Sequence, residues 1–350
     1  MSQPGSTSRT VLAVIWLILG IVMLGVSGAV GWTRWEPLLN GHPALLVATV
    51  ACAVVGMIAM VWSIATLVAG DRQDLRDDNP RHQRTRTPKQ LRRRAELRLA
   101  LAVPALLVCI VLVAVVAWAK PFPPAAGVVS AMRSDPNVKV IDTVTWYELT
   151  PTARNAAGDV VAPKVGLVFA PGARVDPRAY APLLMPLAKA GNLVILLKDP
   201  FGIALTDPDH AARPMAVHTE IVSWVVGGHS LGGTAAASFA GSHPQVKGLL
   251  LWASYPASPL TRTDLSVMSI YGTEDGLATP AKIEDHKSML PPDTQYVEVT
   301  GGLHAYFGEY GAQPGDGTTT VDRATAQKQI VDASVKFLES FQPAPPKPKK

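Results

Sequence analysis

Gly227-Gly228-His229-Ser230-Leu231-Gly232-Gly233 follows the apolar run Ile221-Val222-Ser223-Trp224-Val225-Val226. It precedes the small-residue run Thr234-Ala235-Ala236-Ala237-Ser238-Phe239-Ala240. Read outward from Ser230, this order is a buried strand, a sharp turn and a buried helix. Glycines two residues either side of Ser230 let the backbone turn tightly and let the helix close on the strand. The serine hydroxyl then projects into open space, above a helix N-terminus that favours negative charge. A turn serine that merely caps the next helix is the competing reading. The strand before and the helix after favour a nucleophile elbow.

A serine hydroxyl needs a base to take its proton, and the base needs an acid to fix its tautomer. For an elbow serine the acid and then the histidine follow it in the chain. The run Leu265 to Tyr271 reads as a strand ending in Gly272-Thr273-Glu274-Asp275-Gly276. An acid at the carboxyl end of a parallel strand faces the ligand-binding edge of the sheet. Asp275 is the expected acid, with Glu274 as its neighbouring alternative. A turn aspartate before glycine is the plainer reading of Asp275.

His304 lies in Gly301-Gly302-Leu303-His304-Ala305-Tyr306-Phe307, just past the short run Tyr296 to Val299, and is the expected base. The remaining histidines fit other places. His286 sits in the charged helical pattern Pro280 to Leu290, and His243 precedes Pro244 at a helix end. His229 points away from the reaction, and His210 and His218 come before the elbow. An oxyanion needs backbone N–H donors where its charge develops. Leu231, directly after the serine, supplies one. Ala173 supplies the second from Pro171-Gly172-Ala173-Arg174, which follows the strand Val165 to Ala170; an ordinary Pro-Gly turn is the alternative there.

These segments together resemble the α/β-hydrolase superfamily, and more narrowly its fold-5, dienelactone-hydrolase-like group. The resemblance is carried by residues 169–180, Gly228-His-Ser-Leu-Gly-Gly233, Leu249 to Pro256, Tyr271-Gly-Thr-Glu-Asp-Gly276 and Gly301 to Gly311, within about 136–341. It implies a Ser230–Asp275–His304 triad. Asn often precedes the family's histidine, where this chain has Leu303. True dienelactone hydrolases use a cysteine nucleophile, whereas the only cysteines here are Cys52 and Cys109, so that chemistry is not implied.

The rest of the chain has another character. Residues 11–32, 44–70 and 99–119 are apolar runs, each long enough to cross a hydrocarbon core of about 30 Å. Asp71 to Arg98 carries ten Lys/Arg, against Arg34 alone between the first two runs. The positive-inside rule places that basic loop, residues 71–98, and the N-terminus in the cytoplasm, and the part after Lys120 outside it. Contact of the basic loop with anionic lipid follows from its charge.

The overall +5 is uneven: +7 over residues 1–120, −5 over 121–341 and +3 in the last nine. An acidic C-terminal domain does not read as a nucleic-acid binder. Both cysteines fall in the apolar runs and read as packing residues. No C-x-x-C or H-E-x-x-H spacing occurs, so neither a metal nor another cofactor is expected.

The expected organisation is a membrane region (1–120), a linker (121–135), a domain (136–341) and a disordered tail (342–350). Alternating strands and helices from Val138 onward predict a mostly parallel sheet with helices on both faces. The short, proline-bearing stretch between Ala253 and Leu265 leaves no room for a lid helix, so loops 200–213 and 306–318 should border an open site. The expected activity is serine hydrolysis of small or short-chain carboxylic esters outside the cytoplasm, through an acyl-enzyme. Acyl transfer to a lipid or envelope sugar, and a non-catalytic membrane scaffold, are the alternatives. The spans carry no charged residue inside, which argues against a transporter. Protein partners and oligomeric state are not legible.

Overall fold

The computed structural model describes residues 4–77, 88–154, 159 and 161–343. Two compact units divide the chain: residues 1–38 with 44–120, and residues 39–43 with 121–350.

The first unit is three long helices, α1 (Pro4–Asn40), α2 (Pro43–Asp77) and α3 (Pro88–Trp118). Arg9–Asn40, Pro43–Ala69 and Leu99–Trp118 are long and apolar enough to cross a membrane. Their large side chains face outward: Ile18, Ile58 and Val108 are 58, 62 and 67% exposed. That inverts the rule for a protein interior and fits a hydrocarbon surround. α1 and α2 instead meet through small residues. A Cβ on Gly20 would lie 2.8 Å from the Gly56 carbonyl oxygen, so only glycine permits that approach. The hydroxyls of Thr49 and Ser63 donate to carbonyls one turn back, Leu45 and Ala59, so neither is left unsatisfied. α1 departs from helical geometry at Arg34, just before Pro37. Residues 78–87 of the basic loop and 344–350 of the expected tail lie outside the described residues.

The second unit is built on eight strands: β1 (Val138–Asp142), β2 (Trp146–Pro151), β3 (Val165–Ala170), β4 (Leu193–Leu197), β5 (Ser223–His229), β6 (Val246–Trp252), β7 (Ser266–Gly272) and β8 (Gln295–Val299). They form one sheet in the order β1-β2-β4-β3-β5-β6-β7-β8. β3 to β8 are mutually parallel, and β1 and β2 add antiparallel strands at one edge. Helices α4 (Val128–Ser134), α5 (Ala181–Lys189), α6 (Ala212–Val217), α7 (Leu231–Ser242), α8 (Pro280–Asp285) and α9 (Arg323–Glu339) complete the unit.

Every residue of β3 and β4 is buried, as expected of parallel strands covered on both faces. Alternate residues feed two cores. Leu167, Phe169 and Val225 meet Leu183 of α5 and Phe337 of α9, while Val168, Ile195 and Val226 meet Phe239 of α7. Trp252 is fully buried, and its indole N–H donates to the equally buried Ser334 hydroxyl at 3.0 Å.

Three local details of this unit bear on the site. β1 stops at Asp142 because Thr143 turns the chain, its N–H and hydroxyl both donating to the Trp146 carbonyl. The elbow strand runs on through Gly227 and Gly228 to His229. These residues pair with Leu250, Leu251 and Trp252 of β6, so glycine inside a strand is no stop signal when a neighbour strand needs close approach. The stretch 121–135 makes contacts of its own. Phe122 bridges to Val175, Pro124 bridges to Tyr310, and Met132 of α4 is 3% exposed in the core. As expected, residues 253–265 contain no helix.

Candidate active site

Ser230 ends β5 and opens α7 with φ 53° and ψ −126°, a conformation that L-residues adopt at a cost. Its surroundings enforce it. The Ser230 N–H donates to the Trp252 carbonyl at 3.0 Å, and the Ser254 hydroxyl donates to the Ser230 carbonyl at 2.6 Å. A Cβ on Gly228 would collide with the Gly232 backbone, and one on Gly232 with the Ala170 and Pro171 carbonyls. The elbow therefore needs both glycines, and the start of α7 lies directly against the loop that follows β3.

That loop carries the expected second oxyanion donor. The Gly172 N–H is already engaged, donating to the Tyr180 hydroxyl at 2.9 Å. The N–H groups of Ala173 and of Leu231, the first residue of α7, have no acceptor among the described residues. The Arg174 N–H donates to the Gly202 carbonyl at 2.7 Å, with Arg174 at φ 63°, so the loop is held from behind in a strained turn.

Asp275 sits three residues beyond the end of β7 and is 3% exposed. One carboxylate oxygen accepts the N–H groups of Leu277 and Ala278, both at 2.7 Å; the other accepts His304 Nδ1–H at 2.8 Å. Glu274 is exposed to solvent, which removes it as the alternative. The structure thus joins two of the expected site residues directly. His304 is 1% exposed, and its Nε2 has no hydrogen-bond partner among the described residues. The Ser230 hydroxyl likewise makes no hydrogen bond among them. No hydrogen bond joins the Ser230 hydroxyl to the His304 ring among the described residues. The His304 ring centre lies 4.5 Å from that of His229, the residue next to Ser230.

His229 itself is fully buried. The Tyr180 hydroxyl, which accepts from Gly172 N–H, lies 2.9 Å from His229 Nδ1 in a shared hydrogen bond. Burial, and then the nearby His304, hold the His229 pKa well below the usual histidine value, so this ring stays neutral. His229, expected to point away from the reaction, is held by Tyr180 and packs beside the His304 ring. His243 stacks on Phe239 at the end of α7, and His286 stacks on Tyr255 rather than lying free in solvent.

Sequence reasoning missed the groups that hold the histidine loop. One Asp316 carboxylate oxygen accepts His304 N–H at 3.0 Å and Gly276 N–H at 3.3 Å, and the other accepts Ala305 N–H at 2.8 Å. Asp316 therefore ties the acid loop to the base loop. Arg323, opening α9, donates to the carbonyls of Ala305, Gly308 and Tyr310. A Cβ on Gly272 would strike Gly302, so the two loops also meet glycine to glycine. The available signal was Pro314-Gly315-Asp316-Gly317, an aspartate set between glycines in a segment expected only to border the site.

A second buried pair was also missed. His210 Nδ1 lies 3.0 Å from an Asp199 carboxylate oxygen; the residues are 1 and 5% exposed. His210 Nε2 and the other Asp199 oxygen have no partner among the described residues. A small cavity of about 20 Å³ adjoins them, lined also by Ala236 and Phe239 of α7. No cluster suited to a metal ion occurs among the described residues.

Residues 166–329 match the model of the alpha/beta hydrolase family, a span that contains Ala173, Ser230, Leu231, Asp275 and His304. No curated protein matches the chain. The C-terminal part thus carries an α/β-hydrolase fold, which indicates hydrolase activity, behind three helices able to cross a membrane.

Proposed function

We propose that this chain is a membrane-anchored serine hydrolase of the dienelactone-hydrolase-like group, cleaving carboxylic esters outside the cytoplasm. The observation that carries this reading is the pairing of a strained elbow serine with a buried histidine held at 2.8 Å by a buried carboxylate. Ser230 Oγ attacks the ester carbonyl carbon while His304 Nε2 takes its proton. The imidazolium is stabilised by Asp275, whose second oxygen is fixed by two backbone N–H groups. The carbonyl oxygen becomes an oxyanion facing the uncommitted N–H groups of Leu231 and Ala173. His304 returns its proton to the leaving alcohol. Water, deprotonated by the same ring, then releases the acid and regenerates Ser230.

The absence of a helix in 253–265 supports a small or short-chain acyl group, since no cap encloses a long one. The test is a panel of p-nitrophenyl esters from acetate to palmitate, offered to the full chain in detergent. Turnover falling with chain length, and lost in Ser230→Ala, is expected. Turnover that persists in Ser230→Ala, or that rises toward palmitate, contradicts the reading. The side of the membrane is tested separately, with a membrane-impermeant maleimide on Ser130→Cys in intact cells. Ser130 is exposed, whereas the native Cys52 and Cys109 are buried. Labelling without lysis is expected; labelling only after lysis overturns the orientation.

A further inference from the structure

We infer that the three membrane helices hold one anionic phospholipid in a groove of their own, with its phosphate on Arg9. The groove has a volume of about 790 Å³, within the size range of small-molecule sites. All three helices line it: Arg9 and Trp16 from α1, Trp62 and Thr66 from α2, Leu99 and Cys109 from α3. It lies wholly within the first unit.

Its length matches one leaflet. Leu99 and Cys109 are ten residues apart on α3, which is about 15 Å at the helical rise. That is half of a hydrocarbon core of about 30 Å. α1 and α3 begin, and α2 ends, at the end of the bundle where Arg9 lies. The groove therefore runs from the headgroup level toward the bilayer midplane, as an acyl chain does.

Charge names the headgroup. Arg9 is the one Arg, Lys, Asp or Glu in the lining, and it makes no hydrogen bond or ion pair among the described residues. A guanidinium at a hydrocarbon edge without a carboxylate is costly, and its planar fork matches phosphate oxygens. A zwitterionic lipid offers the same phosphate but adds a cation beside Arg9; an anionic one does not. Apart from the Thr66 hydroxyl and the Cys109 thiol the remaining lining is apolar, which suits a lipid tail and not a free phosphate. This site is separate from the ester-hydrolase reading and does not depend on it.

The test uses the full chain purified in mild detergent, stripped of lipid and offered dioleoyl phosphatidylglycerol and phosphatidylcholine in equal amounts. Bound lipids are counted by native mass spectrometry. The wild type should retain one phosphatidylglycerol per chain, at least about five-fold over phosphatidylcholine (the ratio is the readout). Arg9→Gln should bring the two lipids to parity. Ala102→Trp, which fills the groove, should retain neither. Equal retention of both lipids by the wild type overturns the proposal. So does an Arg9→Gln variant with undiminished preference, which would place the lipid on the basic loop instead. Arg9→Gln changes an end-of-helix side chain, so it decides the matter even if Ala102→Trp fails to fold.

Discussion

Two histidine–aspartate pairs flank the elbow strand of this domain, one on each side. Asp275 follows β7 and Asp199 follows β4, and each of those strands lies two places from β5 in the sheet. Both histidines meet their carboxylate through Nδ1, at 2.8 and 3.0 Å, and both have a buried Nε2 with no partner among the described residues. By burial and bonding alone the pairs are nearly alike. They differ in what surrounds them. Asp275 is oriented by two backbone N–H groups, and His304 is pinned at its own N–H by Asp316 and lies beside the His229 ring. The second Asp199 oxygen accepts nothing among the described residues, and the pair lines a small cavity together with Ala236 and Phe239 of α7. On the reading proposed above, the features that single out the catalytic pair are an acid whose second oxygen is fixed and a ring held against the neighbour of Ser230.

The widest separation of the two pairs should come from the histidines. His304→Ala is expected to lower kcat on a short ester by about 10⁶-fold, as removal of a triad base does elsewhere. His210→Gln should change kcat by less than about tenfold while lowering the melting temperature, because it leaves Asp199 buried and unpaired. Comparable losses from both would dissolve the distinction. The acids come next. Asp275→Asn should cost about 10⁴-fold through the wrong histidine tautomer. Asp199→Asn should leave kcat within about tenfold, read in the same steady-state assay.

A smaller effect should sharpen the role of the clamp. Asp316→Ala removes the acceptor for His304 N–H and Ala305 N–H, and should lower kcat about 10- to 100-fold with KM little changed. A rise in KM at constant kcat would mean that Asp316 serves substrate binding instead.

The smallest effect concerns pH. His229 is held neutral in the folded chain by burial, with a pKa well below the unfolded value of about 6.5. Below pH 6.5 the unfolded chain therefore binds a proton that the folded one refuses. Stability falls as pH drops from 6.5 toward the folded pKa, by up to about 1.4 kcal/mol per unit. His229→Gln should flatten the dependence of unfolding free energy on pH between 6.5 and 5; an unchanged slope would show that His229 titrates freely.

Much of this was legible because it rests on local pattern. Val165 to Ala170 is a continuous apolar run, and it became a strand with the expected bounds. Ser230 was legible because the glycines around it serve a turn that only glycine allows. Asp275 and His304 followed from strand ends and chain order, and their 2.8 Å contact joins residues 29 apart in sequence. Asp316 was not legible, since its work is to bind backbone N–H groups of two distant loops and no periodicity encodes that. The His210–Asp199 pair was passed over because His210 precedes the elbow, a rule about order that says nothing of burial. The segment 121–135 looked like a linker from its prolines. Its order comes from tertiary contacts of Phe122, Pro124 and Met132, which override local composition.

The most direct test is to treat the full chain with a fluorophosphonate and map the adduct by peptide mass spectrometry in the wild type, His304→Ala and His210→Gln. The account predicts one adduct, on Ser230, formed at wild-type rate in His210→Gln and nearly abolished in His304→Ala. An adduct on another residue, or a rate that collapses in His210→Gln and survives in His304→Ala, would contradict it.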